Sequence, residues 1–536
     1  MMKRWLIFLS ILCTGWAATE ELWTRKSERK LKILGTFAHL GKSHFDVFRP
    51  LVEELADRGH EVTVVSHFPR SEEAKQKRPL PTYRDISLVD PKIGVLLNVV
   101  DLKMVDNSPL RLFTELMVLR HMGGLACEMG LRNQEVRKLI ASNEKFDLIL
   151  TEFFNTDCFL GFVHRFKAPY IALSSHQVMP WVNQRISNAE DPGYMPSIFL
   201  GIVRPMNFFD RLSNLLNLIV TKIAYEFYFE PQARQIAREA FGPDVPDLSE
   251  IGKNASAILV NTHFSLHGLR SSLSNIVDVG GLHIDARGKP LPKDIQRFLD
   301  DSPEGVLYFN LGSMIRASSM PDDKLRVILN VLESLPRKVI WKWESEQLPR
   351  NLKNLMVRKW LPQFDVLRHP NVKCYLGHGG LLGLSEGVYN GVPMILVPMY
   401  GDQMHNTAAA VTRGVAIMIP FDRLSEDNLR NALNDVFNNT KYSERAKVLS
   451  RAYRDRMESP LEKAVWWSEY IGRGNGLEFM RNDGVDLSWY QRELLDVGLF
   501  LLLSTLALLY LIGKLFQALK TFASRCRRSS EKSKKD

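Results

Sequence analysis

Between Gly377 and Gly387 the chain reads GHGGLLGLSEG, directly after the apolar run Val372 to Leu376. A strand ending at Leu376 would deliver His378-Gly379-Gly380 into a turn, and a helix beginning near Leu381 would point its free backbone N–H groups and positive end at whatever sits there. That is the chemistry of an anion site. Glycine lets the backbone approach a phosphate closely, and His378 adds a donor. Glu386, farther along the same helix, is a bidentate acceptor suited to the vicinal hydroxyls of a ribose. No GK[ST] or GxGxxG completes either standard nucleotide motif.

Two neighbouring stretches add what such a ligand would need. Trp360-Leu-Pro-Gln363 offers an indole face on which a base can stack, and an amide for hydrogen bonds. Asp402-Gln403, after the apolar run Met394 to Val397, offers acceptors and donors for sugar hydroxyls. Each is weak alone. In order, at the ends of successive strands, they supply contacts for a base, a ribose, a diphosphate and a sugar.

A transfer to a hydroxyl also needs a base, and histidine titrates in the right range. The loop Phe37 to Phe45 (FAHLGKSHF) holds two, His39 and His44. His44, after Ser43 and just before a helix, is preferred. A carboxylate should orient it and stabilise the imidazolium as it forms. Glu152, at the end of the strand that begins near Asp147, and Asp157, five positions on, are both candidates. Glu152 is slightly favoured.

The elements that must position these groups are legible as two αβ series. Leu31 to Phe37 and Glu61 to Val65 read as strands flanking a helix from Phe45 to Arg58 that stops at Gly59. This βαβ opening predicts a parallel sheet. Further strands are expected at Asp147 to Leu150 and Pro169 to Leu173. Ile198 to Tyr228, long, apolar and broken by Pro205, reads as packed helices in preference to a membrane-surface face. Glycines and prolines cluster from Gly280 to Pro292, as in a linker. A second series follows, with strands expected at Val306 to Asn310, Val339 to Trp343, Leu355 to Val357, Val372 to Leu376 and Met394 to Val397.

The run from Trp360 to Gln403 resembles the signature of the UDP-glycosyltransferases, the GT-B family 1 enzymes: WLPQ, HGG, a Ser-Glu on the helix, GVP and a final DQ over 44 residues. The likeness extends through FNLGS (Phe309 to Ser313) to both termini, in the layout of the animal, particularly insect, membrane-bound branch. It implies an α/β, GT-B fold of two Rossmann-like domains facing a cleft. It implies uracil stacking by Trp360, ribose contacts from Gln363 and Glu386, and diphosphate contacts from Ser313, His378 and the Gly379-Gly380 turn. Asp402 and Gln403 would meet sugar hydroxyls, His44 would act as base, and Glu152 stands where vertebrate members carry an Asp. Two positions depart from the pattern: Gly377 stands where the family often has Thr or Ser, and Leu382 where many members have Asn.

The expected reaction is inverting transfer from a UDP-sugar to a small lipophilic acceptor. It needs no metal or other cofactor, and no D-x-D triplet occurs in the chain. Asn261, in LVNTHF, occupies the place where glucuronate-using relatives carry an arginine, so UDP-glucose is the expected donor. A nucleotide-sugar-binding protein without turnover, a glucuronosyltransferase and a type I receptor are the competing readings.

The expected domains are a signal peptide at 1–18, an acceptor-binding domain at 29–282, a linker at 283–295, a nucleotide-binding domain at 296–490, a membrane helix at 497–516 and a basic tail at 517–536. The leader has Lys3 and Arg4 before an apolar run, and Val497 to Ile512 carries no charge. The segment Lys514 to Asp536 holds eight basic and two acidic residues, which by the positive-inside tendency places it in the cytosol and the body in the lumen. Removing its +6 and the leader's +2 from the total of +10 leaves about +2 for the body. The basic balance therefore reports topology, and nucleic acid is not an expected partner. Lysines third and fifth from the end resemble a dilysine retrieval signal of the endoplasmic reticulum, and a homo-oligomer is compatible with the chain. Asn254-Ala-Ser and Asn438-Asn-Thr are acceptor sequons that fit a lumenal body. Five cysteines, with no CxxC, form no disulfide scaffold.

Overall fold

The computed structural model describes residues 29–532 apart from 91–96, 106–107, 109, 346–347, 349 and 477. The expected signal peptide and the last four residues lie outside the described residues. The chain forms a body ending at Arg481 and a separate C-terminal unit from Asn482.

The body holds two wholly parallel sheets. In the first, β1 (Lys32–Thr36), β2 (Glu61–Ser66), β3 (Tyr83–Ser87), β4 (Leu148–Glu152), β5 (Tyr170–Ser174), β6 (Ala257–Val260) and β7 (Ile276–Asp278) stand in the order β3-β2-β1-β4-β5-β6-β7. In the second, β8 (Val306–Asn310), β9 (Lys338–Lys342), β10 (Leu355–Arg358), β11 (Val372–Gly377), β12 (Met394–Leu396) and β13 (Ala416–Met418) stand in the order β10-β9-β8-β11-β12-β13. The central strands are near-continuous apolar runs because helices cover both faces. The helix Lys42–Asp57 ends against Gly59, whose φ of 86° is a left-handed conformation that glycine adopts at little steric cost.

Both sheets reverse their order once, and each reversal opens a crevice at the strand ends. In the first it falls between β1 and β4, where Thr36 pairs with Thr151. In the second it falls between β8 and β11, where Asn310 pairs with Gly377. Every catalytic and phosphate-site candidate follows one of these four strands.

The chain crosses between the halves more than once. The helix Pro460–Arg473, assigned by sequence to the second domain, buries Ala464, Val465 and Ile471 in the core beside Leu31 and Leu148 of the first. Glu462 pairs with Arg58 at 2.6 Å, and Glu469 meets His60 at 3.1 Å. In the other direction, Val100–Asp101 of the first half pairs in parallel with Ile315–Arg316 of the second. Asn98 N–H donates to the Ser313 carbonyl at 2.9 Å. These crossings tie the halves across the cleft.

Two features differ from the sequence reading. Cys127 and Cys158 form a disulfide, joining the helix Arg111–Arg132 to the turn after β4. The segment expected to pack as core helices instead shows the apolar side of the helix Phe208–Ala224 to the outside, with Asn214, Asn217, Leu218 and Thr221 turned inward. In the C-terminal unit a short helix, Trp489–Arg492, precedes a long one from Leu495 to Lys532. Its Leu495–Arg525 stretch, which contains the expected 497–516, is long and apolar enough to cross a membrane.

Candidate active site

His44 lies in the first turn of the helix after β1, and Glu152 is the last residue of the adjacent β4. The strand pairing brings their side chains together: His44 Nδ1 is 2.6 Å from Glu152 Oε1. Ser175, just past β5, places its hydroxyl 2.8 Å from the same Nδ1 and 3.4 Å from the carboxylate. With the Nδ1 proton held toward Glu152, Nε2 is left as the basic nitrogen. Burial, reinforced by His176, lowers the imidazole well below its ordinary value, so it is neutral at pH 7. Burial also raises the Glu152 carboxyl. A proton arriving on Nε2 would convert the pair into an imidazolium facing a carboxylate 2.6 Å away.

The other two candidates of this half lie elsewhere in the arrangement. The His39 ring centre lies 4.0 Å from that of His44, the two planes tilted by 44°, and its Nδ1 is buried without a hydrogen-bond partner. Asp157 is buried in a separate cluster, where it accepts a hydrogen bond from the Tyr225 hydroxyl at 2.6 Å and pairs with the buried Arg185. Asp157 balances a guanidinium in the core, whereas Glu152 meets His44.

In the second half, β11 runs out at Gly377 and the helix Leu381–Asn390 begins one turn later, with Gly380 at its N-cap. The His378 ring is wedged between two glycines. A Cβ on Gly312 would lie 2.7 Å from the ring and one on Gly380 2.3 Å from Nε2. Gly379 has φ of 83°, and a Cβ there would meet Thr407 Oγ1 at 2.3 Å. The turn therefore presents backbone amides where side chains cannot fit. His378 Nδ1 is buried with no partner, and burial, helped by Lys342, lowers the ring to about 4. The Lys342 ammonium donates to the Gly312 carbonyl at 2.8 Å and Asn98 Oδ1 at 2.9 Å, putting a fixed cation beside the cradle. Ser313 follows in the same loop.

The base and ribose candidates flank this cradle. Trp360 is 64% exposed, with Lys42 Nζ 6.0 Å from its ring centre. Lys42 stands two residues before His44, so the helix that carries His44 begins over the indole. Gln363 Nε2 donates to Glu386 Oε2 at 2.7 Å, while its Oε1 accepts from Asn310 Nδ2 at 2.6 Å and the Tyr308 hydroxyl at 3.0 Å. Burial raises Glu386 to about 7, and the neighbouring Asp365 and Asp46 add to the shift. Asp402 Oδ2 accepts from Asn406 at 2.7 Å, and burial raises the Asp402 carboxyl, with His176 pulling the other way. Gln403 is buried, and its Oε1 accepts the Met399 and Tyr400 amides, closing the turn before it. Only its amide end is left for a ligand.

The two departures from the signature have packing reasons. A Cβ on Gly377 would lie 2.6 Å from the Tyr375 ring, which fills the space a Thr or Ser would need. Leu382 packs against the apolar core of the first half. Asn261 is buried and bonded to backbone at both ends of its amide, donating to the Ser175 carbonyl at 2.9 Å and accepting from the Gly281 amide at 3.0 Å.

Ser175, His176, Asn310, Lys342 and His283 were missed by the sequence reading. His176 Nδ1 bonds the Gln177 carbonyl at 2.6 Å, which leaves its buried Nε2 free near His44 and Asp402. His283 Nε2 lies 3.8 Å from Glu386 Oε1. A Ser-Ser-His after a strand was the one local signal for the first two.

A profile described as UDP-glucoronosyl and UDP-glucosyl transferase matches residues 37–535. The chain belongs to the UDP-glycosyltransferases. UDP-glucosyltransferase 2 of Dactylopius coccus is 35% identical over 491 residues, covering 91% of this chain and 93% of the relative. UDP-glucuronosyltransferase 1A7 of Mus musculus is 30% identical, covering 88% and 89%. A UDP-glucosyltransferase from Polygonum tinctorium capable of glucosylating indoxyl superposes with a TM-score of 0.55 at 16% identity, over 83% of this chain and 99% of that one. The fold of this glycosyltransferase is thus GT-B: two parallel-sheet halves, each with its switch point at the cleft.

Proposed function

We propose that this transferase moves glucose from UDP-glucose, with inversion, to a hydroxyl of a small lipophilic acceptor. The observation that carries the reading is the part-buried His44–Glu152 pair, with His44 on a helix that begins over Trp360. His44 Nε2 takes the acceptor's proton, and the hydroxyl oxygen attacks the anomeric carbon. The bond from that carbon to the diphosphate oxygen breaks on the opposite face, and UDP leaves as the anion. Glu152 holds the imidazole and balances its new charge. The amides of the Gly379-Gly380 turn, with His378, Ser313 and Lys342, offset charge on the leaving diphosphate, so no metal is required in this scheme. Trp360 stacks the uracil, Gln363 and Glu386 hold the ribose, and Asp402 with the Gln403 amide meets sugar hydroxyls.

Glucose is favoured over glucuronate because Asn261, where the family's arginine would stand, is spent on backbone groups. We infer that the body lies in the lumen of the endoplasmic reticulum as part of a type I protein. In support, the two sequon residues Asn254 and Asn438 are exposed, and the Cys127–Cys158 disulfide suits an oxidising compartment.

Membranes carrying the full chain, incubated with UDP-glucose or UDP-glucuronate and a panel of phenols, test the reading. Glucoside formation with a β anomer from the α-linked donor is the expected result. Retention of UDP-glucose without any product would replace it with a binding role, and glucuronide alone would reverse the donor assignment.

A further inference from the structure

Three imidazoles surround the Phe154 ring in the first crevice. Its centre lies 4.8 Å from His39, 4.6 Å from His44 and 4.9 Å from His176, and the His176 ring stands 5.7 Å from that of His44 at 77°. His44 takes the acceptor's proton in the scheme above, but His176 has no part in it. His176 is buried on the turn directly after β5, where the Ser174 hydroxyl donates to the His176 carbonyl at 2.9 Å and holds the backbone. Nδ1 lies 2.6 Å from the Gln177 carbonyl, which can only accept, so this nitrogen carries the proton. In the neutral ring Nε2 then holds a lone pair, and it is buried with no partner. A buried acceptor left unbonded costs free energy that a ligand's donor would recover.

The second half supplies what stands opposite. The loop before the helix Gln403–Thr412 is pinned to the first half on both sides of Asp402. The Gly401 amide donates to Glu115 Oε1 at 3.1 Å, and the Met404 methyl would lie 3.2 Å from a Cβ on Gly201. Asp402 is thereby held within electrostatic reach of His176: burial raises its carboxyl, and His176 is the first influence against that rise. The two do not bond each other, because Nε2 has no partner. A gap is left between an imidazole lone pair of one half and a carboxylate of the other. Both sides of it are acceptors, so whatever fills it must bring two protons. Adjacent hydroxyls of a sugar ring do so. The reacting hydroxyl of the acceptor molecule does not compete for this place, since its single proton goes to His44 Nε2.

We propose that His176 is a donor-sugar specificity residue: its Nε2 accepts a hydrogen bond from a hydroxyl of the transferred hexose while Asp402 accepts from a neighbouring one, so that the sugar is held from both halves at once. This rests on the transfer reading above and deepens it. A sugar carbon at that place with no hydroxyl, or with a carboxylate, brings no proton to Nε2 and gains nothing from it.

The two nitrogens of His176 can be tested apart. His176→Asn keeps an amide N–H near Nδ1 for the Gln177 carbonyl and leaves nothing at Nε2, whereas His176→Gln keeps an amide oxygen near Nε2 and gives up Nδ1. Calorimetry on the full chain in detergent, without acceptor, measures UDP and UDP-glucose binding to each variant. His176→Asn should bind UDP as the native chain does and UDP-glucose about 5- to 15-fold more weakly, while His176→Gln should stay within about threefold of native for both. A series of UDP-deoxyglucoses locates the hydroxyl: for one of them His176→Asn should cost nothing further, because the bond is already gone. Native UDP-glucose affinity in His176→Asn with a loss in His176→Gln would make Nδ1 a structural strut and overturns the proposal. Equal weakening of UDP and UDP-glucose overturns it too, as does the same loss for every deoxy donor. The readout is binding, so a protein that holds UDP-glucose without forming product would defeat the transfer reading while the same titrations still decide the role of His176.

Discussion

His44 and Glu152 are 108 positions apart in the chain and 2.6 Å apart in the fold. The contact exists because β1 and β4 are neighbours at the point where the first sheet reverses its order. Both side chains leave the carboxyl ends of those strands into the same crevice.

His44→Ala is expected to lower kcat by about 10²- to 10⁴-fold and leave UDP binding unchanged, since it removes only proton transfer. Glu152→Gln keeps the shape and removes the charge, and is expected to fall in the same range. Steady-state rates with UDP binding measured by calorimetry check both. A fully active Glu152→Gln would take the carboxylate out of the mechanism.

Asp157→Asn separates the two acidic candidates. It leaves Arg185 buried beside a neutral amide, so unfolding free energy should drop by about 3–5 kcal/mol. The kcat of the folded fraction should stay close to that of the native chain. Thermal unfolding set beside single-turnover rates reads the two effects apart.

In the proposed scheme Glu386 would give donor binding a pH dependence. Its carboxyl is raised to about 7, so it is mostly protonated at pH 6 and ionised at pH 8. Only the ionised form can accept from both ribose hydroxyls, so KM for the UDP-sugar should fall as pH rises through 7. Glu386→Gln should be weaker throughout and flat across that window. The stability sign is the reverse: a carboxyl whose folded value lies above its unfolded one loses stability as pH rises through that same range. Thermal shift without nucleotide should therefore decline over the window in which affinity improves.

Trp360→Ala removes a stacking surface and no core contact, because the indole is mostly exposed. At about 1–3 kcal/mol for a base on an aromatic ring, UDP should bind about 5- to 150-fold more weakly, with little change in melting temperature. Equal loss of stability and affinity would show the indole to be a packing residue.

Cleaving the Cys127–Cys158 disulfide should cost about 2–4 kcal/mol of stability. The double variant Cys127→Ser, Cys158→Ser, compared with the native chain under denaturant, measures it. Cys374, buried in the second sheet, should not react with thiol reagents until the chain unfolds.

The sequence by itself determined the central strands of both sheets, the turn glycines and the residues at the strand ends, because each is a local decision; the strands Tyr83–Ser87, Ala257–Val260, Ile276–Asp278 and Ala416–Met418, toward the sheet edges, were not read from it. An apolar run bounded by glycine at 372–380 can only end in a tight turn, and a helix starts at Leu381 as its pattern requires. Tertiary structure alone decided which distant groups meet. Glu152 ends β4 and Asp157 follows it by five positions, and sequence favours the first only slightly, yet the path of the turn sends one to His44 and the other to Arg185. The return of Pro460–Arg473 to the first half depends on a complementary apolar face around Leu31 and Leu148, which no window of sequence displays. The inverted helix at 208–224 shows the same limit: its period of apolar residues reads correctly as a helix, but periodicity does not say which side faces in. That was set by the Ser197 amide and hydroxyl and the Pro192 and Met195 carbonyls, whose hydrogen bonds could be met only by Asn214 and Asn217 turned inward.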